Sequence, residues 1–296
     1  MLRSSLVLVL ALGSVSAAAP QRKARWYVNS DVASNVAFAQ AHPGALTGWY
    51  GCCGLLGIDG AGKATQLKNI SALAGPMKAA LLPSTGRELT FHAVFSVAES
   101  AIHSGAAKGG AATLARLAAA GGADGVLCDY EPSDNYTDAH AQAYADFLGA
   151  LAGAAHALSP RLEVGIDVAG WGILDHFSIL QRADVDFYTS MTPTYDAPAV
   201  PGADKRFTTE LVGAVGAARA AIGVGSVAAP GFEASCSNMP AYGWNASSFG
   251  EFASWLRTSA GVLDLDVWRC DIDHYGKTAG WFVDTVVRFL GLPAGP

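Results

Sequence analysis

The chain has 296 residues, a formal net charge of −6 at pH 7, and 19 Lys and Arg residues scattered along its length. That balance excludes a nucleic-acid binder, which needs a basic stripe. With 5 cysteines and 51% hydrophobic residues, the chain is no disulfide scaffold and must be held by a hydrophobic core.

Taken in chain order, residues 1–19 combine Arg3, an apolar run over 6–12 and small residues over 14–19. This is the layout of a secretory signal peptide, with cleavage expected between Ala17 and Pro20. The run is too short to span a membrane, and no later segment approaches the roughly 18 apolar residues that spanning requires. The sequons Asn69-Ile-Ser, Asn135-Tyr-Thr and Asn245-Ala-Ser fit the same route. The expected product is a secreted or lumenal monomer whose residues 20–296 form a single domain, with no membrane partner.

Beyond the leader, strand and helix patterns alternate without a composition break. Strands are expected at 26–29, 46–52, 89–96, 125–130, 162–168, 185–191, 222–227 and 262–268. Helices are expected at 33–41, 71–82, 107–120, 139–158, 174–182, 207–221, 247–258 and 278–290. Tyr144, Leu148, Leu151 and Ala155 give the fourth of these an apolar stripe at helical spacing. The strands are nearly continuous apolar runs, as in a parallel sheet covered on both faces. Eight strands alternating with eight helices predict an α/β fold, the (β/α)8 TIM barrel. The rival, an open doubly wound sheet, lacks a Gly-rich phosphate fingerprint at its first helix.

The most informative stretch is Asp124-Gly-Val-Leu-Cys-Asp-Tyr-Glu-Pro132. Side chains alternate along a strand, so Leu127, Asp129 and Glu131 share one face, and Val126, Cys128 and Tyr130 the other. Two acids on one face of an apolar strand are costly to bury without compensation, which favours chemistry over a structural cap. In a barrel, functional residues cluster at the C-terminal strand ends. Those ends carry Asn29 and Asp31, Trp49 and Tyr50, Ser96 and Glu99, Asp129 and Glu131, Asp167 and Trp171, Met191 and Tyr195, Glu233, then Trp268, Asp271 and Asp273. Acids interleaved with aromatics suit a carbohydrate cleft: flat rings cover a sugar's apolar face, and acids bind hydroxyls or move protons. No metal or other cofactor is called for, and Cys52-Cys53 lacks the spacing of a zinc site.

On these residues the chain resembles glycoside hydrolase family 18, the chitinase and chitobiase-like enzymes, as a divergent member. That family carries D-x-x-D-x-D-x-E on its fourth strand. Asp124-Gly-Val-Leu127-Cys-Asp129-Tyr-Glu131 matches at three of the four acids and departs at Leu127. Met191-Thr-Pro-Thr-Tyr195-Asp196 resembles the family's Met-x-Tyr-Asp with two extra residues, and Trp268 stands where its last strand ends in Trp. The family's Ser-x-Gly-Gly is replaced by Ser96-Val-Ala-Glu99. The resemblance implies Glu131 as the proton donor and Asp129 as the residue that orients the substrate's acetamido group. Trp49, Tyr50, Asp167, Trp171, Met191, Tyr195 and Trp268 are expected to bind substrate, with Asp124 and Asp266 in support. Asp266 shares the strand face of Trp268 and either supplies the buried charge that Leu127 lacks or, with Asp264, faces an interhelical crevice and binds Lys or Arg.

Two other readings stay open. Glu131-Pro132 with Glu233 could form the acid/base and nucleophile of a retaining glycosidase, whose carboxyls stand about 5–5.5 Å apart. Loss of the acid at 127 could also mark a sugar-binding barrel without catalysis. The odd cysteine count leaves one thiol unpaired, with Cys128 the candidate. Cys52, Cys53, Cys236 and Cys270 fall just after expected strands, where disulfides would fasten loops.

Overall fold

A computed structural model describes residues 21–132, 137–191, 203–230, 244–268 and 278–292. Its sheet contains β1 (Lys23–Val28), β2 (Gly48–Ile58), β3 (Ala64–Gln66), β4 (Thr90–Val97), β5 (Gly125–Cys128), β6 (Glu163–Val168), β7 (Phe187–Ser190), β8 (Ala220–Gly225) and β9 (Asp264–Trp268). All but β3 pair in parallel in the order β1-β2-β4-β5-β6-β7-β8-β9, and β9 returns to β1. The result is a closed eight-stranded barrel ringed by helices, the (β/α)8 fold that the alternating pattern predicts.

The elements follow from local chemistry. Asp31 Oδ1 accepts from the Ser34 amide to start the helix Val32–Ala41, and Asn69 caps Ile70–Lys78 in the same way. The helix Asp138–His156 buries Tyr144, Leu148, Leu151 and Ala155 as the stripe requires. Two expectations are corrected. The Ala-rich stretch expected as helix over 207–221 ends as Ala203–Val215, because Gly216 turns out at φ +84 and residues from Ala220 enter β8. A run of alanines is the best intrinsic helix former, but burial between two strands overrides propensity here. The second strand runs on to Ile58 instead of stopping at 52, through a register shift between Gly51 and Leu56. Its extension pairs antiparallel with β3 around a turn that Asp59 Oδ1 pins by accepting the Ala61 and Lys63 amides. Cys52 and Cys53 therefore lie within a strand, with their sulfurs in contact. Cys236 and Cys270 lie outside the described residues.

Two cores result. The larger fills the space between barrel and helices and includes Trp26, Trp49, Val126, Cys128 and Tyr130. The smaller lies inside the barrel and holds Tyr27, Tyr50, Cys52, Val94, Leu127, Phe187 and Ala221, with Trp268 against it. Strand parity at 126–130 is thus as read from the sequence. Cys128 is buried and free, and burial pushes its thiol up.

Candidate active site

The barrel interior is a ladder of polar groups. At the base, the fully buried Arg25 pairs with Asp264 at 2.5 Å, while His92 Nε2 lies 3.0 Å from Glu163 Oε2. Burial works against the Glu163 charge, but His92, Arg25 and Lys23 hold its carboxyl well below the usual range. One layer up, Arg25 donates to Tyr50 Oη, and Tyr50 donates to Asp266 Oδ2 at 3.0 Å. Thr189 Oγ1 donates to the same oxygen at 2.8 Å. The other Asp266 oxygen is buried with no partner. Burial first, then the Asp264 charge, pushes the Asp266 carboxyl up to about 7.

Above this ladder opens a cleft lined by Tyr27, Asp129, Glu131, Asp167, Thr189, Ser190, Met191, Gly223 and Trp268. Asp129 is fixed at the end of β5 by its amide, which donates to Phe95 O at 3.0 Å. Its half-buried carboxyl is pushed up to about 6 by desolvation and then by the Glu131 charge. Glu131 stands at the rim, open to solvent, and partial desolvation raises its carboxyl above the ordinary value. Asp167 is deeper and buried; Tyr27 Oη donates to its Oδ1 at 3.2 Å. Burial raises Asp167 well above the ordinary carboxylate value, and the Asp129 and Asp266 charges add to this. Carboxyls held above their ordinary range are what proton-transfer chemistry needs. Trp268 closes one side, its ring edge-on to Tyr27 at 4.8 Å. Ser190 Oγ and Trp268 Nε1 are buried without a hydrogen-bond partner.

The sites read from the sequence divide sharply. Asp129, Glu131, Asp167, Met191 and Trp268 meet in the cleft. Trp49 does not: it points to the helices and donates from Nε1 to Met77 O at 3.1 Å, because its position in β2 has the outward parity. Tyr50 has the inward parity but lies below the cleft, under Tyr27 at 4.7 Å, so it supports and does not line. Trp171 packs against the outer core and not in the cleft. Asp124 sits at the opposite end of β5, bonded to Lys78 Nζ at 2.7 Å and the Phe91 amide at 2.8 Å, where it fastens the barrel base. Asp266 faces the interior and not an interhelical crevice, but Tyr50 and Thr189 take its hydrogen bonds and it does not line the cleft. Tyr195, Glu233, Asp271 and Asp273 lie outside the described residues. Tyr27, Thr189 and Ser190 were not anticipated; the parity of Arg25 and Tyr27 in β1 was the signal available for the first. Among the described residues no group of His, Cys, Asp or Glu is arranged to hold a metal.

The raised acids make stability fall with pH. A carboxyl whose folded pKa exceeds its unfolded value binds its proton more tightly when folded, so stability declines as pH rises between the two values. For Asp266 that window runs from about pH 4, its unfolded value, to about 7. Asp266→Asn should narrow the gap in urea midpoint between pH 5 and pH 8. An unchanged gap would show that Asp266 is already ionised at pH 5.

No protein-family model matches the sequence, and comparison with curated proteins gives no significant match. Solved structures do match in fold. A chitinase from Bacteroides thetaiotaomicron superposes with a TM-score of 0.67 at 11% identity, over 92% of this chain and 97% of that one. A family 18 chitinase from Cycas revoluta, solved with (GlcNAc)3, gives 0.62 at 11% identity, over 90% and 99%. A spore cortex-lytic enzyme from Bacillus cereus gives 0.60 at 12% identity, over 94% and 76%. The chain has the barrel fold of glycoside hydrolase family 18 chitinases, at a sequence distance where only the fold is shared visibly.

Proposed function

We propose that this protein is a secreted glycoside hydrolase that cleaves glycans containing N-acetylhexosamine, with Glu131 as general acid. The observation that carries this reading is the meeting of Asp129 and Glu131 in one cleft beside Trp268, at the C-terminal end of the barrel. In the proposed first step Glu131 gives its proton to the glycosidic oxygen. The substrate's acetamido oxygen attacks the anomeric carbon as the bond to the leaving group breaks, and Asp129 holds the acetamido N–H. Water then opens the cyclic intermediate, returning its proton to Glu131, so the anomeric configuration is retained. Such chemistry needs no carboxylate nucleophile from the protein. The proton donor Glu131 is retained at the cleft although the acid at 127 is not, which favours catalysis over binding alone.

The secretory route rests on the leader at residues 1–19 and on the sequons. Asn69 and Asn245 are both exposed helix N-caps whose Oδ1 accepts backbone amides, leaving Nδ2 for a glycan. The test is product analysis with labelled chito-oligosaccharides and N-glycan cores, with anomers resolved by NMR within the first minutes. Products should appear first as the β-anomer, and a thiazoline analogue of the cyclised sugar should inhibit. Initial α-anomer, or intact substrate after prolonged incubation, would overturn the proposal.

A further inference from the structure

The motif's missing acid leaves Asp129 without a charged neighbour below it on its own strand. Leu127 fills that place and belongs to the apolar layer with Val94 and Phe187. That layer is apolar and closely packed, with Phe187 lying directly against Gly165, the residue paired with Leu127. The β5–β6 register pairs Leu127 with Gly165 and Cys128 with Ile166. Continued by one residue, it sets Asp129 beside Asp167, both on the inner face and both lining the cleft. Neighbouring strands stand about 4.8 Å apart, so these two carboxyls are lateral neighbours.

We propose that Asp167, on the adjacent strand, is the positioning residue that replaces the absent motif acid, sharing one proton with Asp129. The proposal rests on the glycosidase reading above and assigns Asp167 a role in it. Four titratable groups act on Asp167: Tyr27 from β1, Asp129 and Glu131 from the end of β5, and Asp266 from β9. No Lys or Arg is among the described residues that line the cleft. Three carboxyls thus meet there without a cation, and like charges in one site cannot all ionise. The buried Asp167 is the natural holder of the retained proton: Tyr27 donates to its Oδ1, which leaves Oδ2 to carry the proton toward Asp129. The Asp129 charge pushes Asp167 up. Asp129, next to a then neutral Asp167, is raised by its own burial and by Glu131. Asp129 is left as the carboxylate that accepts the acetamido N–H. Asp167 keeps its proton while Glu131 delivers its own, so Asp129 stays the anion that faces the acetamido N–H as the cyclising sugar gains positive charge. No proton enters or leaves the pair in the cycle.

The test has two arms. Aspartate ¹³Cγ titration by NMR needs no turnover: Asp129→Asn should lower the Asp167 midpoint by one pH unit or more, and an unchanged midpoint would overturn the proposal. In chito-oligosaccharide hydrolysis, Asp167→Leu should lower kcat at least 30-fold with KM within threefold and shift the pH optimum. Asp167→Asn, a neutral group that still donates to Asp129, should stay within tenfold of the parent and guards against misfolding in the leucine variant. Parental kcat and pH profile in Asp167→Leu would also overturn it. If the parent protein cleaves nothing, the glycosidase reading fails while the titration still decides the proton sharing.

Discussion

Glu131→Gln should lower turnover of an N-acetylhexosamine oligosaccharide by two or more orders of magnitude while leaving binding nearly intact. The side chain keeps its shape and hydrogen-bonding reach but loses the only proton it could deliver, and general acid catalysis of this kind is worth about 10²–10⁴-fold. Binding should survive because the surfaces that would grip a sugar, Trp268, Tyr27 and Met191, are untouched. The expected kinetic pattern is a fall in kcat with little change in KM, the signature of an interaction made mainly in the transition state. A substrate with a strongly acidic leaving group should recover part of the lost rate, since it needs no protonation to depart. The pH profile should also lose its basic limb, because that limb reports a Glu131 carboxyl held above its ordinary value. Equal activity in the variant would remove Glu131 from the chemistry and return the cleft to a binding role.

The sequence carried the barrel because the information is periodic. Apolar runs, alternate faces and helical stripes repeat eight times, and an error of a few residues at an element's end leaves the count unchanged. It also carried Asp129 and Glu131, whose parity relative to Leu127 follows from the two-residue repeat of one strand. What it could not carry is height within the barrel. Trp49 and Tyr50 are adjacent near one strand's end, yet one faces the helices and the other lies a layer beneath the cleft. Asp266 illustrates the same limit: its face was legible, but its hydrogen bonds to Tyr50 and Thr189 depend on strands far away in sequence. The pairing of Asp129 with Asp167 depends on the β5–β6 register, set by packing across a helix of 19 residues. The extension of β2 goes beyond the strand expected at 46–52, where Cys53 and the following glycines suit a loop, whereas a register shift between Gly51 and Leu56 carries the strand through them.

Arg25→Met should be the most damaging substitution for stability outside the apolar cores. Arg25 is buried at the barrel base, bridged to Asp264, donating to Tyr50 and lying over the Phe187 ring at 4.2 Å. Burial disfavours its charge, yet Asp264, Tyr50, Asp266 and Glu163 together raise its pKa, so the guanidinium is the counter-charge for the whole ladder. Methionine fills much of the same volume but leaves Asp264 and Asp266, two residues apart on one strand, facing each other without a cation. Removing one partner of a buried ion pair costs about 3–5 kcal/mol, and at ~2–4 °C per kcal/mol for a chain of this size class the melting temperature should fall by roughly 10 °C. The loss should be larger at pH 8 than at pH 5. Without Arg25 the Asp266 carboxyl is raised further, and at the lower pH it can discharge by taking a proton. The second substitution Asp264→Leu, added to Arg25→Met, should restore part of the stability, because a buried pair replaced by apolar groups no longer leaves a charge stranded. Melting curves at the two pH values decide the matter: a single variant within 2 °C of the parent at pH 8 would mean that the ladder needs no counter-charge from Arg25. The ladder would then rest on hydrogen bonds alone, and Asp266 would reach the cleft through Thr189 as a neutral acid, with no charge to pass upward.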